Sequence, residues 1–226
     1  MLYNFNMNIL IIGKPGSGKG TITQKLIEDC GDFIQLSTGD LLRVEQEKKT
    51  EVGAEITKLL LAGKFATDDI IFNLVDKFLK KNKDKSIIFD GFPRNLVQAK
   101  ACVERNLVFD HIFVLTATDE MVMQRINGRF IHRASGRVYN TDTMPPKVAG
   151  IDDLTGDSLI KRYDDNPDIM KIRLSDYKEL TSPIIDYFNS VGYNITTIDS
   201  GIDLKDQLNY IKNNILGLNK TNKHGI

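Results

Sequence analysis

Residues 7–21 read MNILIIGKPGSGKGT and combine an apolar run, a glycine-rich loop with a lysine, and the start of an amphipathic segment. The apolar run predicts a buried strand, and Ile22, Leu26 and Ile27 follow at helical spacing. Glycines let backbone N–H groups converge on an anion at the positive end of a helix, where Lys19 can reach a terminal phosphate. The stretch therefore predicts a phosphate-binding loop.

The loop matches the Walker A pattern with one difference. Gly13, Gly18 and Lys19 have the expected spacing, but Gly20 follows the lysine, so the hydroxyl falls at Thr21. A glycine-rich strand-to-helix turn without a ligand is the alternative interpretation. The strand, the loop, the lysine and the helix occur in the right order, which favours phosphate binding.

The composition is that of an ordinary globular protein. The chain has 226 residues, of which 41% are hydrophobic and 27% charged, enough for one large domain or one domain with insertions. Thirty basic residues balance thirty acidic ones, so nothing indicates nucleic acid or a membrane as a partner. Two distant cysteines indicate a reducing compartment. Without room for a secretory signal or an apolar run of membrane-spanning length, we expect a soluble intracellular protein.

Short apolar runs alternate with helical stretches along the chain, which predicts an α/β fold with a parallel sheet covered by helices. The predicted strands are residues 7–12, 33–36, 86–89, 111–115 and 194–198. The longest helical stretch has one apolar stripe that we expect to face the core. Its members are Met170, Leu174, Tyr177, Leu180, Ile184, Phe188 and Val191. We expect the polar residues 216–226 to form a loose tail.

Two segments interrupt this alternation. Open α/β sheets bind ligands beyond the carboxyl ends of their strands, so insertions there would lie over the site. The first segment, residues 38–66, is predicted to form two short helices. The second segment, residues 128–165, is predicted to form a small flap with short β-like pieces at 129–132 and 137–139. The rest forms the expected core, residues 1–37, 67–127 and 166–226.

Four motifs together resemble the adenylate kinase family of nucleoside monophosphate kinases. They are GKPGSGKGT at 13–21, STGDLLR at 37–43, DGFPR at 90–94 and RINGR at 125–129. The resemblance implies a P-loop NTPase fold with a five-stranded parallel sheet, an AMP-binding insertion at 38–66 and a LID insertion at 128–165. It also implies reversible phosphoryl transfer from a nucleoside triphosphate, with Mg²⁺, to AMP.

Such a reaction needs concentrated positive charge, because each terminal phosphate carries about two negative charges. A planar guanidinium can bind a phosphate at two points, whereas no general base is required. The candidate cations are Lys19, Arg43, Arg94, Arg125, Arg129, Arg162 and Arg173. The catalytic set implied by the resemblance is Lys19, Arg94, Arg125, Arg129, Arg162 and Arg173, with Asp90.

The resemblance implies a donor site around the loop. Its residues are Gly16, Ser17, Gly18, Lys19, Gly20, Thr21, Arg129, Val138, Tyr139 and Ile202. Arg125 would join them at the transferring phosphate, and residues 200–202 would contact the donor base through backbone groups. Asp90 follows a buried strand, where it could hold Mg²⁺ through water near Thr21, or instead cap a helix.

The implied AMP site consists of Thr38, Arg43, Lys64, Phe65, Ala66, Gly91, Phe92, Pro93, Arg94, Gln98, Arg162 and Arg173. Arg43 and Arg94 would hold the AMP phosphate. The amide of Gln98 has both a donor and an acceptor, so it can pair with the edge of adenine, supported by Thr38. The alternatives are an exposed helix glutamine and a helix N-cap.

The flap lacks cysteines where zinc-bearing relatives have four. His132, Ser135, Asp152 and Thr155 occupy those positions. Because serine and threonine are poor zinc ligands, we predict a hydrogen-bonded quartet and no structural zinc.

The donor base is the open question. Residues 131–140 and 150–165 are closer to GTP:AMP phosphotransferases, whereas Thr38 fits ATP-using members, and we favour ATP with GTP as the alternative. We expect a cytoplasmic monomer that interconverts ATP or GTP, AMP and ADP, and the mitochondrial matrix is the alternative location.

Proteins of other classes fit less well. A P-loop GTPase needs Asn-Lys-x-Asp, and residues 82–85 and 219–222 both lack the aspartate. A non-catalytic nucleotide sensor would lack a lysine or arginine of the set, and none is missing. The long flap and Gln98 favour AMP over UMP or CMP as the acceptor.

Overall fold

The structure is a computed structural model that describes residues 7–221, except residues 49, 63–65 and 163–164. Within the described residues, the strands are β1 Asn8–Gly13, β2 Phe33–Ser37, β3 Ser86–Asp90, β4 His111–Thr116, β5 Arg129–Ile131, β6 Val138–Asn140 and β7 Ile195–Asp199. The helices are α1 Lys19–Cys30, α2 Thr38–Glu47, α3 Glu51–Leu61, α4 Asp68–Lys81, α5 Leu96–Glu104, α6 Asp119–Asn127, α7 Pro167–Asp176, α8 Pro183–Ser190 and α9 Leu204–Thr221, with a π-turn at Tyr177–Thr181.

A five-stranded parallel sheet in the order β2-β3-β1-β4-β7 forms the centre. The α/β fold and all five predicted strands are confirmed, each strand within one residue of its predicted limits. The register places Asp90 of β3 beside Ser37 of β2 and Ile11 of β1. Consequently the segments that leave these three strands begin at one edge of the sheet, as the fold class requires.

The sheet is buried on both faces. Leu10 and Ile12 pack into one apolar cluster, and Ile9 and Ile11 into the other, because successive side chains of a strand point to opposite faces. Helices α1 and α9 contribute to the second cluster, whereas α4, α5 and α8 contribute to the first. This two-sided burial explains why the central strands are apolar throughout.

The predicted stripe of the longest helical segment is only partly right. Leu180 and Val191 are 42% and 45% exposed, so they do not face the core. The members that are fully buried are Met170, Ile184 and Phe188.

A π-turn interrupts the helical segment beside Leu180. The N–H of Ser182 donates to the carbonyl of Tyr177, five residues earlier, which is the spacing of a π-turn. Pro183 follows directly, and its ring and missing N–H are incompatible with an ordinary helical turn behind it. At this turn Thr181 is buried and Leu180 is not.

The first interrupting segment contains α2 and α3. The side chain of Ser37 accepts a hydrogen bond from the N–H of Asp40 at 3.2 Å and caps α2. The alternative interpretation of Thr38 as the N-cap is therefore wrong, and its hydroxyl is used elsewhere.

The second segment contains β5 and β6, which form an antiparallel ladder that pairs Arg129 with Asn140. At the end of the chain, residues 216–221 continue α9, which contradicts the expected loose tail. Ile211 and Ile215 bury this helix against the core, so it persists into a polar stretch. Residues 222–226 lie outside the described residues. None of the helices in the described part of the chain is both long enough and apolar enough to span a bilayer.

Gly13→Ala should destabilise the protein. A Cβ at this position would lie 2.6 Å from Ser17 Oγ and 2.8 Å from the backbone oxygen of Leu115 in β4. Because the central sheet cannot move apart cheaply, we expect the free energy of unfolding in urea to fall by about 1–3 kcal/mol.

Gly217→Ala in α9 is the control, since a Cβ there meets nothing within 4 Å. Alanine has a higher helix propensity than glycine, so this variant should have a free energy of unfolding about 0.5–1 kcal/mol higher than the wild type. Unchanged stability of the Gly13 variant would contradict this account of the loop.

Candidate functional site

A cavity of about 680 Å³ lies at the carboxyl edge of the sheet. It is lined by residues 15–22, which follow β1, and by Ser37 and Asp90, the last residues of β2 and β3. In the loop, Gly16 and Gly18 have φ values of 78° and 100°, a region that other residues rarely adopt. The predicted phosphate-binding loop therefore forms one wall of the cavity.

Lys19 is folded back over this loop. Its ammonium donates to the carbonyls of Gly13 at 2.7 Å and Lys14 at 2.8 Å. Burial lowers the pKa of Lys19 to about 8; Asp90 opposes this shift, and the charges of nearby arginines add to it. These arginines are Arg94, Arg129 and Arg173.

All seven predicted cations line this one cavity. They come from separate parts of the chain: α1, α2, the segment after β3, α6, β5, the end of the flap and α7. They are Lys19, Arg43, Arg94, Arg125, Arg129, Arg162 and Arg173. Such a concentration of like charge is costly unless an anion neutralises it, so the cavity suits a polyanionic ligand.

Among the described residues, carboxylates pair with Arg129 and Arg43 of this set. Arg129 forms a two-point ion pair with Asp165, whose side chain is 2% exposed. Arg43 pairs with Asp40 one turn earlier in α2. Burial alone would raise the pKa of Asp40, but the Arg43 guanidinium lowers it below its ordinary value. Sequence reasoning did not assign Asp165 a role; its only signal was a position shortly after Arg162.

Backbone oxygens hold Arg125. It donates to the carbonyl of Ser17 at 3.1 Å and to that of Ser200 at 2.5 Å, so it links the loop to the segment after β7. Gln207 of α9, which the sequence did not single out, also holds this segment. Its Nε2 donates to the carbonyl of Ile202 at 2.8 Å. The expected base-contacting residues 200–202 are thus held in place from two sides.

Asp90 faces the loop from the end of β3. Its Oδ2 accepts a hydrogen bond from Gln35 at 3.1 Å and lies 4.0 Å from where a Cβ at Gly20 would be. Asp90 and Thr21 both line the cavity and offer the hard oxygen ligands that Mg²⁺ prefers. The residues present therefore fit a magnesium ion that accompanies a phosphate ligand.

Gly91 is the centre of a tight cluster beside the cavity. Its carbonyl accepts hydrogen bonds from Thr38 Oγ1 at 2.7 Å and from Arg94 Nε at 2.9 Å. Its φ is 82°, and a Cβ there would lie 2.8 Å from both side chains, so only glycine fits. The hydroxyl of Thr38 is therefore used to hold the turn.

Gln98 is buried rather than exposed. Its Oε1 accepts from the N–H of Arg94 at 2.8 Å, and its Nε2 donates to Asp68 at 2.7 Å. Each end of the amide retains a second site for a hydrogen bond. Asp68, at the start of α4, is a further partner that the sequence did not reveal.

Not every predicted AMP-site residue lines the large cavity. Gly91 and Pro93 line a smaller neighbouring cavity of about 70 Å³. Four further members are buried and line neither cavity: Thr38, Ala66, Phe92 and Gln98. Lys64 and Phe65 lie outside the described residues.

The four flap positions come together as a hydrogen-bonded group. His132 Nδ1 lies 2.7 Å from Ser135 Oγ, and Thr155 Oγ1 donates to Asp152 at 2.9 Å. Arg137, which the sequence did not assign to this group, donates to both carboxylate oxygens of Asp152. These hydrogen bonds, that from Arg137 above all, hold the pKa of Asp152 well below its usual range.

Two flap residues predicted for the donor site lie beside this group. Val138 and Tyr139 line the large cavity, and the Tyr139 hydroxyl donates to Asp152 at 3.0 Å. Within the described residues, no group of three His, Cys, Asp or Glu side chains is arranged to hold a metal ion. The flap is thus tied together by an aspartate, an arginine and hydroxyl groups.

The arrangement of loop, cations and flap agrees with a comparison with known protein families. A family model described as adenylate kinase matches residues 11–193, which include the loop, the segment after β3 and the flap. Because this match covers most of the chain, the protein belongs to the adenylate kinase family, whose members are nucleoside monophosphate kinases.

Proposed function

We propose that the protein catalyses reversible phosphoryl transfer from ATP, with Mg²⁺, to AMP, which yields two molecules of ADP. The observation that carries this proposal is the convergence of seven cations on one cavity beside the glycine-rich loop. One triphosphate does not need so many cations spread over both walls. Two phosphorylated ligands, one at the loop and one beside Arg43 and Arg94, account for them.

The donor would lie with its phosphates against residues 16–21. Lys19 would exchange its bonds to the Gly13 and Lys14 carbonyls for phosphate oxygens, which also compensates the cost of its burial. Asp90 and Thr21 would hold Mg²⁺, which supplies charge neutralisation on the donor phosphates.

The acceptor would lie with its phosphate between Arg43 and Arg94. An oxygen of the AMP phosphate attacks the terminal phosphorus of the donor, and the bond to the bridging oxygen breaks, leaving ADP on each side. Negative charge spreads over the transferring group in this step. The guanidinium groups placed to stabilise it are Arg125, Arg129, Arg162 and Arg173.

The division of the chain follows from this assignment. Residues 38–66 would form the AMP-binding unit and residues 128–165 the LID, over a core of residues 1–37, 67–127 and 166–226. An exposed ion pair between Glu47 and Arg133, at 2.9 Å, joins the two insertions. Insertions that close over both bound nucleotides would exclude water, which would otherwise hydrolyse the donor.

GTP is the alternative donor. The loop contacts phosphate and carries no information about the base, and the flap sequence is closer to the GTP-using branch. The segment at residues 200–202 would contact the base through backbone groups.

A coupled assay for nucleoside diphosphate formation tests the function. With ATP or GTP as the donor and AMP, GMP, UMP or CMP as the acceptor, we expect the highest kcat/KM for ATP with AMP. A higher kcat/KM for GTP with AMP would show that GTP is the donor and would leave the proposed reaction type unchanged. Preference for an acceptor other than AMP would show that the proposed function is wrong.

Lys19→Met should abolish turnover and leave the fold intact, because the ammonium stabilises negative charge on the phosphates and does not contribute to packing. We expect kcat to fall at least about 100-fold, as for other groups that stabilise a transition state. Circular dichroism and thermal unfolding check the fold. Lys25→Met is the control, since Lys25 lies on the same helix but is half exposed and pairs with Glu28. Similar activity losses in both variants would contradict the role of Lys19.

The hydrogen-bonded flap should hold without zinc. We expect metal analysis to find no stoichiometric zinc and a chelator to leave the thermal midpoint unchanged. Asp152→Asn should lower the midpoint because it removes the charge that Arg137 binds. Asp142→Asn is the control, because Asp142 is exposed and accepts a hydrogen bond only from its neighbour Thr141 among the described side chains. One zinc per chain would overturn this prediction.

A further inference from the structure

The backbone of Arg94 is held from both sides by side chains of other segments. Its N–H donates to Gln98 Oε1 at 2.8 Å, and its carbonyl accepts a hydrogen bond from Thr181 Oγ1, also at 2.8 Å. Arg94 belongs to the irregular segment between β3 and α5, so no strand or helix ladder fixes its backbone. These two side-chain bonds therefore set the direction in which its side chain leaves the backbone.

The side chain of Arg94 is directed in turn by Gly91, whose carbonyl accepts from Nε at 2.9 Å. Arg94 lines both the large cavity and the 70 Å³ cavity next to it. A hydrogen bond to its backbone carbonyl can thus influence where the guanidinium lies in the site. Thr181 is the residue that makes this bond from a segment 87 positions away in the chain.

Thr181 is the last residue of the π-turn. It is buried to 7% exposure, whereas its neighbour Leu180 is 42% exposed. Buried threonine hydroxyls need a partner, and the Arg94 carbonyl supplies it. The buried position at the end of the π-turn is therefore occupied by a side chain that donates a hydrogen bond to Arg94.

The location of the π-turn also connects it to the site. Tyr177 and Thr181, at its two ends, line the 70 Å³ cavity together with Lys19, Arg94 and Arg173. π-turns inside helices occur frequently at functional sites. Arg173 stands on α7, directly before the π-turn, so one continuous helical segment carries both this arginine and the hydroxyl that holds Arg94.

We propose that Thr181 is a positioning residue, which orients Arg94 for the phosphate of the acceptor nucleotide through the hydrogen bond to its backbone. The inference rests on the proposed function, because it assigns Arg94 to AMP. Thr181 itself contacts no substrate. Its effect is confined to the acceptor side, since the donor loop is held by other groups.

Thr181→Val and Thr181→Ser form the matched pair that tests this role. Valine keeps the shape of threonine and removes the hydroxyl, whereas serine keeps the donor. For the valine variant we expect the KM for AMP to rise about 3- to 10-fold, as for loss of one hydrogen bond, with the KM for the donor unchanged. The serine variant should stay within about twofold of the wild type.

A double-mutant cycle with Arg94→Lys separates positioning from general stability. If Thr181 acts through the arginine, Thr181→Val should add little to the KM for AMP once Arg94 is lysine. Thr181→Ala removes the same donor and is measured in parallel, so that the cycle can be completed if the valine variant does not fold.

The outcomes distinguish the two proposals. If the wild-type protein does not phosphorylate AMP, the proposed function is wrong. If it does, an unchanged KM for AMP in the folded valine or alanine variant, an equal rise in both KM values, or full additivity with Arg94→Lys would overturn the positioning role.

Discussion

Mutual repulsion among cationic side chains is the constraint that this site must satisfy. Lysine and arginine side chains from seven separate segments face one cavity, and burial already lowers the pKa of Lys19 to about 8. Local acceptors hold these groups in place: Asp40 and Asp165 pair with arginines, and backbone carbonyls of the loop accept from Lys19. Phosphate oxygens would take over these hydrogen bonds, so ligand binding relieves a repulsion that folding creates.

The sheet provides the rigid frame, but the site begins where the sheet ends. Beyond the last residues of the strands, hydrogen bonds from side chains, and not those of the sheet, fix the backbone. Thr38 and Arg94 hold the carbonyl of Gly91, and Gln98 and Thr181 hold the backbone of Arg94. The bonds from Thr38 and Thr181 join segments that are distant in sequence. The turn after β3 is thereby shaped by three different helices, α2, α5 and the segment around the π-turn.

Much of the fold followed from the sequence, because a strand buried on both faces must be apolar throughout and such runs are readable. The cationic residues of the site could also be predicted from the sequence. Once the loop before Lys19 indicates a phosphate ligand, arginines beside loops become candidates to bind it. The sequence did not predict correctly which way individual side chains face. Leu180 fits the apolar stripe by spacing, yet it is 42% exposed, and the neighbouring Thr181 is buried at the π-turn instead. Likewise the alternative interpretation of Gln98 as an exposed residue is wrong, because its amide is buried and bonds to Arg94 and Asp68.

The sequence by itself determined the parallel sheet, the phosphate-binding loop and the cationic character of the site, because these depend on residue type and on spacing within short segments. The tertiary structure alone decided which partner each polar group has. Asp165 for Arg129, Arg137 for Asp152 and Thr181 for Arg94 are such partners. These pairs form between segments whose approach is set by packing of the whole core, and a hydrogen bond depends on a fraction of an ångström that no local pattern encodes.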